Sequence, residues 1–582
     1  MSAVRMTVFK RALVCSAAFT LFGAGDLARA QILDGSTFGS GLPAGPIVSP
    51  GGGSVGPLIT PYGSPPSSSS SPSMPQLDYS QQGKNGTLAR TALMGAAPQG
   101  FQWGANALFS ESYITNSSGT GQSEPDYISM LGLSSNVHDH APRLSLDANY
   151  NFSADFYAKN TEPTQISNYL QALGTASVIP DYLSVNLRAF AQPVITSNLG
   201  AITAGDRVVP GSYNNTYGYF GSPDLTFKLG NFASSETMPS YGQIFFTTPP
   251  GTTTANTLPG VFGPDNTTMR SLTESISSGS DFERLNWRLI GLYSETDSAQ
   301  SLLTEKTGVA NIRYAIDYEW SLLFTGGYDA IKDSIPLIQN ISGPVALAGF
   351  GLTLGNSFAF QIEAGERYNK FSLTSSLRYA VTPTSQLSAS VNDYIQTPEG
   401  QLLNNLTGLT ALANGTLTSS QNAFANGAGS SLGSFNLQSP DNPALDQFVS
   451  RYQIGNISWV EQLGRNSISL AIYGTRRTYL VSGFTGPPVD VSWGSSLNLS
   501  RSLSPLLTGS LGASYNTDQE FGGEGKTIAA QGGLYYSLGR TTNIYLTTSY
   551  VTRLSSPSLQ TLSPLSGNVS DFMATVGISH TL

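Results

Sequence analysis

Charge is what this chain has least of. Only 11% of its 582 residues are Asp, Glu, Lys or Arg, against roughly 25% in soluble globular domains. A water-exposed surface of this size needs far more, so a soluble globular protein is disfavoured. The 28 basic residues are outnumbered by 37 acidic ones and form no run, which argues against a nucleic-acid groove. Cysteine is nearly absent: Cys15 stands alone, inside an N-terminal stretch expected to be removed. The mature chain then has no disulfide, no thiol chemistry and no thiolate-held metal. Past that stretch no apolar run reaches the roughly 18 residues of a membrane-spanning helix.

The N-terminus reads as an export signal. Arg5, Lys10 and Arg11 precede ALVCSAAFTLFGAG, and Ala28-Arg29-Ala30 supplies small residues for cleavage before Gln31. Residues 31–100 follow as a Gly/Pro/Ser-rich segment, GLPAGPIVSPGGGSVGPLITPYGSPPSSSSSPSMPQ at its centre. Such a composition buries too little apolar surface to offset its ordering entropy, so a disordered periplasmic segment is expected.

From Phe101 onward the periodicity is two. In RLSLDANYNFSADF, Leu144, Leu146, Ala148, Tyr150, Phe152, Ala154 and Phe156 share one face, with Ser, Asp and Asn on the other. NIRYAIDYEW repeats the pattern with Ile312, Tyr314, Ile316, Tyr318 and Trp320. That alternation is strand, not helix. One polar and one apolar face also suits a soluble sandwich, but many of these runs exceed the five or six residues of ordinary strands. Tilted strands of roughly 9–11 residues or more are what a bilayer requires.

Connectors give a second signal. Short turns recur as LGN at 229–231 and 354–356, LGRN at 463–466 and LGRT at 538–541. Long connectors fall near 195–211, 245–267, 329–343, 397–446 and 554–566. Counting about 22 strands (range roughly 18 to 24), every short LG turn follows an even strand and every long connector an odd one. Outer-membrane barrels alternate short periplasmic turns with long external loops in this way. The fold class is therefore all-β: a single large transmembrane antiparallel barrel over 101–582, with an external insertion at 397–446. The chain ends SDFMATVGISHTL, an alternating strand expected to close the barrel against FQWGANALFSES and remove both sheet edges.

EPDYISMLGLSSNVH, RLSLDANYNFSADFYA, YLSVNLRAFAQPVITSN, GLTLGNSFAFQIEAGERYNKFSLTSSLRY and WVEQLGRNSISLAIYGTRRTYL together resemble the outer-membrane barrels associated with exosortase/PEP-CTERM exopolysaccharide systems, within a broader class of barrel porins. The resemblance covers about 101–582. It implies an integral outer-membrane barrel of a Gram-negative cell, linked to polysaccharide export or display, with no enzymatic role and no cofactor. Its partners would be outer-membrane lipid and lipopolysaccharide, the barrel-assembly machinery during insertion, and polysaccharide-export components.

Candidate site residues follow from the alternation. Arg143, Asp147, Asp155, Arg188, Arg313, Asp317 and Glu319 are expected on the lumen side, either shaping a water-filled path or bracing a wide barrel with opposite charges. In the insertion, Leu402, Leu403, Leu406 and Leu409 stand near helical spacing and suggest a constriction or lid; a surface loop without gating role is the alternative. Tyr473, Tyr479, Tyr535, Tyr536 and Tyr545 suit interfacial aromatic belts. His138 and His140 read as part of a short solvated turn, an incomplete metal site, and His580 as interfacial. No metal centre is expected. Neither is catalysis, which needs a clustered nucleophile and base. Three functions remain: a channel for polar solutes or exported polysaccharide, a non-conducting assembly component, and an energised receptor. The last needs an ordered plug domain that residues 31–100 are not suited to form.

Overall fold

The computed structural model describes residues 100–582, apart from 120–123, 196–201, 205–212, 248–265, 299–301, 335–340, 356, 398–408, 412–416, 420–448, 481–488, 521–522, 540 and 557–567. The expected signal segment, and the Gly/Pro/Ser-rich segment up to residue 99, lie outside the described residues.

Twenty-four strands run through the described residues. The first seven are β1 (Gly100–Ile114), β2 (Asp126–Ala141), β3 (Leu144–Tyr157), β4 (Gln165–Ile179), β5 (Leu183–Ile195), β6 (Tyr213–Leu229) and β7 (Ala233–Thr247). Then come β8 (Thr267–Ser278), β9 (Leu285–Ser298), β10 (Leu302–Ala315), β11 (Trp320–Asp333), β12 (Ile341–Leu354), β13 (Phe358–Arg367), β14 (Lys370–Thr382) and β15 (Ser385–Gln396). Two short strands, β16 (Leu409–Ala411) and β17 (Leu417–Ser419), form a hairpin of their own. The last seven are β18 (Ser450–Leu463), β19 (Asn466–Tyr479), β20 (Val489–Ser502), β21 (Leu507–Glu520), β22 (Gly523–Ser537), β23 (Thr542–Ser555) and β24 (Val569–Thr581).

All but the small hairpin join one 22-stranded antiparallel sheet. It closes because β24 pairs with β1, from Asn106↔Thr581 to Ile114↔Met573. The Leu582 amide adds a last bond to the Ala105 carbonyl at 2.9 Å. No edge is left between the termini, so every ladder group in the wall can be satisfied without water.

The two faces differ as the alternation requires. Trp103, Leu187, Leu511, Leu546, Val576 and their face-mates are exposed apolar side chains. Their alternating neighbours, among them Ser110, Ser112, Asp147, Arg188 and Thr575, are buried and polar. On a closed sheet the first face is the exterior and the second the lumen. An apolar exterior on a closed barrel is a lipid-facing surface, so this is an integral outer-membrane β-barrel. Phe232, Phe282 and Trp287 gather near the ends of β7 and β9, with ring centroids 5.3 to 6.1 Å apart. They make an aromatic contact at the periplasmic interface.

The short LG turns all follow even strands: β6, β12, β18 and β22. In the β18–β19 turn, Leu463 pairs with Asn466, leaving two residues to reverse the chain. Gly464 takes φ +60° there, the first central position of a type II′ turn, where glycine carries no Cβ penalty. Gly464→Ala is expected to cost about 1–2 kcal/mol, read as a shift in equilibrium unfolding of the folded barrel. An unchanged unfolding curve would contradict this turn geometry.

The opposite rim also has a tight turn between β13 and β14. Tyr368 and Asn369, at φ 66° and 50°, join β13 to β14, where Arg367 pairs with Lys370. Two positive φ angles make this type I′. The hairpin is low, since β13 spans only 10 residues, and at its tip Tyr368 is buried while Asn369 is exposed.

Candidate functional site

The lumen wall is the candidate site, and its charges are segregated. Inward positions of β3 to β13 carry Asp147, Asp155, Arg188, Asp224, Glu236, Arg288, Arg313, Asp329, Glu363 and Arg367. Several are joined: His138 with Asp147, Arg288 with Glu236 at 3.8 Å, and Arg367 with Asp329 at 3.1 Å. Glu363 accepts from Thr325 at 3.0 Å. From β15 round to β1 the described inward positions differ. Below the extracellular strand ends they hold Ser, Thr, Asn, Gln, Gly and Tyr, a few apolar residues, and no charged side chain. Tyr535 and Tyr545 stack on this wall, ring centroids 6.2 Å apart and 25° from parallel. Tyr473 donates to the Asn516 amide oxygen nearby.

The expected lumen residues therefore divide. Asp147, Asp155, Arg188 and Arg313 are inward-facing strand residues. Arg143 is an exposed residue of the turn between β2 and β3, where its carbonyl accepts from the Ser177 amide at 2.8 Å. Asp317 and Glu319 lie in the turn between β10 and β11. There Asp317 Oδ1 accepts from the amides of Glu319 and Trp320, at 2.8 and 2.6 Å. These three sit at the periplasmic rim because strand alternation stops at a turn. Pro142 beside Arg143 is the signal that marks the first of them.

Histidine placement also differs from the sequence reading. His138 and His140 are not in a turn but inside β2. His138 faces inward and is buried against the Asp147 carboxylate. SSNVHDHA continues the alternation of the preceding residues, and a tight turn two residues later completes the hairpin. His580 faces outward and is bonded to Thr542 at 2.9 Å. Of the five tyrosines expected at interfaces, only Tyr536 faces lipid; Tyr473, Tyr479, Tyr535 and Tyr545 face inward.

The insertion between β15 and β18 is the second component. Leu402, Leu403 and Leu406 lie outside the described residues. Leu409 opens strand β16, so helical spacing gives way there to a hairpin, in which Leu409 pairs with Ser419. That hairpin lies beside β3 and β4, on the far side of the ring from the strands that launch it.

At its base the wall is cross-linked by buried side chains. Arg451 on β18 pairs with Asp393 on β15, Nε to Oδ1 at 2.8 Å, and donates through Nη2 to the Phe371 carbonyl at 2.8 Å. Its guanidinium lies 5.4 Å from the Tyr368 ring centroid, and Arg367 lies 5.0 Å from the same ring. Leu303, Ile331, Ile341, Tyr368, Ile395 and Val449 pack as one buried cluster around this group. It ties the ends of β10–β12 to those of β15 and β18.

Among the described residues no group of three or more His, Cys, Asp or Glu is placed to hold a metal. No protein-family model and no curated protein matches the chain. Solved structures similar in fold include the siderophore receptor PiuA from Acinetobacter baumannii, 9% identical, TM-score 0.44, covering 84% of this chain and 82% of that one. A mutant of the ferric enterobactin receptor PfeA from Pseudomonas aeruginosa is 9% identical, TM-score 0.42, over 84% and 81%. OprD from Pseudomonas aeruginosa is 10% identical, TM-score 0.31, over 84% and 97%. Likeness at this level gives no ground for a shared substrate, and nothing in the comparisons ties the chain to exosortase-associated barrels. What the closed wall and its apolar exterior establish is a large outer-membrane barrel with a polar interior.

Proposed function

We propose that the barrel conducts uncharged, hydroxyl-rich solutes, with short glycans or an exported polysaccharide chain as the substrate class, past a constriction formed by the 397–446 insertion. One observation carries this reading: below the extracellular strand ends the lumen divides into a charged half and a half lined by hydroxyls, amides and stacked tyrosines, while Arg477, Asp490, Asp518, Arg553 and Asp571 stand at the extracellular ends of that second half. Sugar hydroxyls match Ser, Thr, Asn and Gln as both donors and acceptors. The apolar face of a pyranose ring suits a tyrosine face whose hydroxyl finds its own partner. Among the charges opposite, Arg288 with Glu236 and Arg367 with Asp329 form ion pairs that brace the wall. Among the described residues no group is placed to hold a metal, and the reading is of a non-enzymatic channel. Polysaccharide-export components would then be partners, beside the lipid and assembly machinery that any such barrel meets.

A non-conducting assembly role is the second reading. It is favoured by the β16–β17 hairpin lying beside β3 and β4, since 22-stranded barrels characteristically hold a filled lumen. Single-channel recording separates the two. The refolded mature protein is expected to conduct weakly, and a variant lacking 402–440 strongly, in planar bilayers. Neutral maltooligosaccharides should block the variant's current. Tyr535→Ala with Tyr545→Ala should raise the half-blocking concentration about fivefold or more, the equivalent of ~1 kcal/mol of aromatic contact. Silence from both proteins, with insertion verified, would leave the assembly role.

A further inference from the structure

The connector after β5 contributes three described residues, Ile202, Thr203 and Ala204, and all three are buried. They lie neither on β5 nor on β6 but at the seam where β24 closes on β1. The Ile202 amide donates to the Gly119 carbonyl at 3.3 Å. The Ala204 amide donates to Asp571 Oδ2 at 2.7 Å. Ile202 and Ala204 belong to one apolar cluster with Ile114, Ile128, Tyr157, Val551 and Met573 on the inward faces of the surrounding strands. These are the extracellular ends of those strands, so the segment is a strap folded into the mouth.

Its seat has two built features. The first is Asp571, buried on β24, whose oxygens divide their work. Oδ1 accepts from the Thr115 hydroxyl and the Asn116 amide, each at 2.9 Å, and so ties down the β1–β2 connector. Oδ2 takes the strap. The second feature is Gly119, at φ +60°, where an added Cβ would stand 2.7 Å from the Ile202 carbonyl oxygen. The strap occupies the space that a side chain at 119 would fill.

We propose that Asp571 is a latch: it holds 202–204 inside the extracellular mouth, and its release frees the strap and widens the path. The inference rests on the conduit reading only for its second half. The division of the carboxylate makes the latch separable from the wall. In Asp571→Asn the amide oxygen can still serve Thr115 and Asn116, which turns its NH2 toward the Ala204 N–H. Donor then meets donor, and the strap loses its hold while the seam keeps its bonds. Gly119→Asn works from the other side. Asparagine tolerates positive φ, yet its side chain claims the volume of Ile202.

The test places a cysteine on the strap, Thr203→Cys in a Cys15→Ser background, so that it is the only thiol. Labelling by a membrane-impermeant maleimide is expected to be slow in this parent. Adding Asp571→Asn, or separately Gly119→Asn, should speed it at least tenfold, with the heat-modifiable gel migration of a folded barrel retained. In the variant lacking 402–440, either change should also raise single-channel conductance. Unchanged labelling in a folded Asp571→Asn protein would overturn the latch. Faster labelling with unchanged conductance would overturn the widening of the path. Because labelling needs no current, a failure of the latch is distinguishable from a failure of the conduit reading.

Discussion

Replacing Arg451 with alanine is expected to destabilise the folded barrel by about 3–5 kcal/mol, the cost of leaving a buried charge without its partner. The side chains of Arg451 and Asp393 are only 7% and 1% exposed, so water cannot take over the missing guanidinium's role. The Phe371 carbonyl loses a donor at the same time, and Tyr368 keeps one of its two flanking cations. Removing both charges should behave differently. Arg451→Met with Asp393→Leu replaces an ion pair by apolar groups beside an already apolar cluster, and such exchanges are often neutral. Equilibrium urea unfolding in detergent, followed by tryptophan fluorescence, measures all three proteins. A double variant as unstable as the single one would show that packing, and not the orphaned carboxylate, sets the cost.

A second large effect follows from the assignment of the two faces. Leu497 and Ser496 are neighbours near the middle of β20, so they point to opposite sides of the wall. Leu497 is exposed on the lipid face. Ser496 faces the lumen between Ala471 and Ser514, small residues that leave room for a longer chain. Leu497→Arg should cost about 2–4 kcal/mol, the range for a cation at the bilayer midplane, whereas Ser496→Arg should stay within roughly 1 kcal/mol because its head group remains in the lumen. Refolding into bilayers of defined thickness, with the folded fraction read by gel mobility, compares them directly. Equal costs, or a reversed order, would contradict the inside–outside assignment on which the lumen site depends.

The barrel itself was legible residue by residue. Period-two runs, long strands and the LG turns converge on one architecture because each obeys the same constraint: every backbone group in lipid must be paired within the wall. The alternation of short and long connectors carried the strand count, since a single miscounted strand would have reversed it downstream. Interfacial tyrosines show where such reading ends. Tyr535 and Tyr536 are adjacent on one strand, so they cannot share a face, and grouping both as belt residues ignored the register. Arg143, Asp317 and Glu319 mark a related limit. Alternation carried past the last ladder residue assigns a face to a side chain that a turn has already released. For His138 the signal was present in SSNVHDHA, but reading a turn there broke a strand that continues to Ala141.

By itself the sequence determined the wall: fold class, a strand number near 22, closure by the terminal strand, and an interior free of thiol chemistry. These follow from local periodicity and composition, which each short segment expresses on its own. Only the tertiary structure decided what the wall encloses. Which charges meet, that one half of the lumen is free of charge below its extracellular strand ends, that β16–β17 lies beside β3 and β4, and that Asp571 on β24 holds Ala204 from the β5–β6 connector all join residues far apart in the chain. Period two places each of them on a face. Bringing them together takes ring closure and the register of 22 strands, which no local pattern encodes.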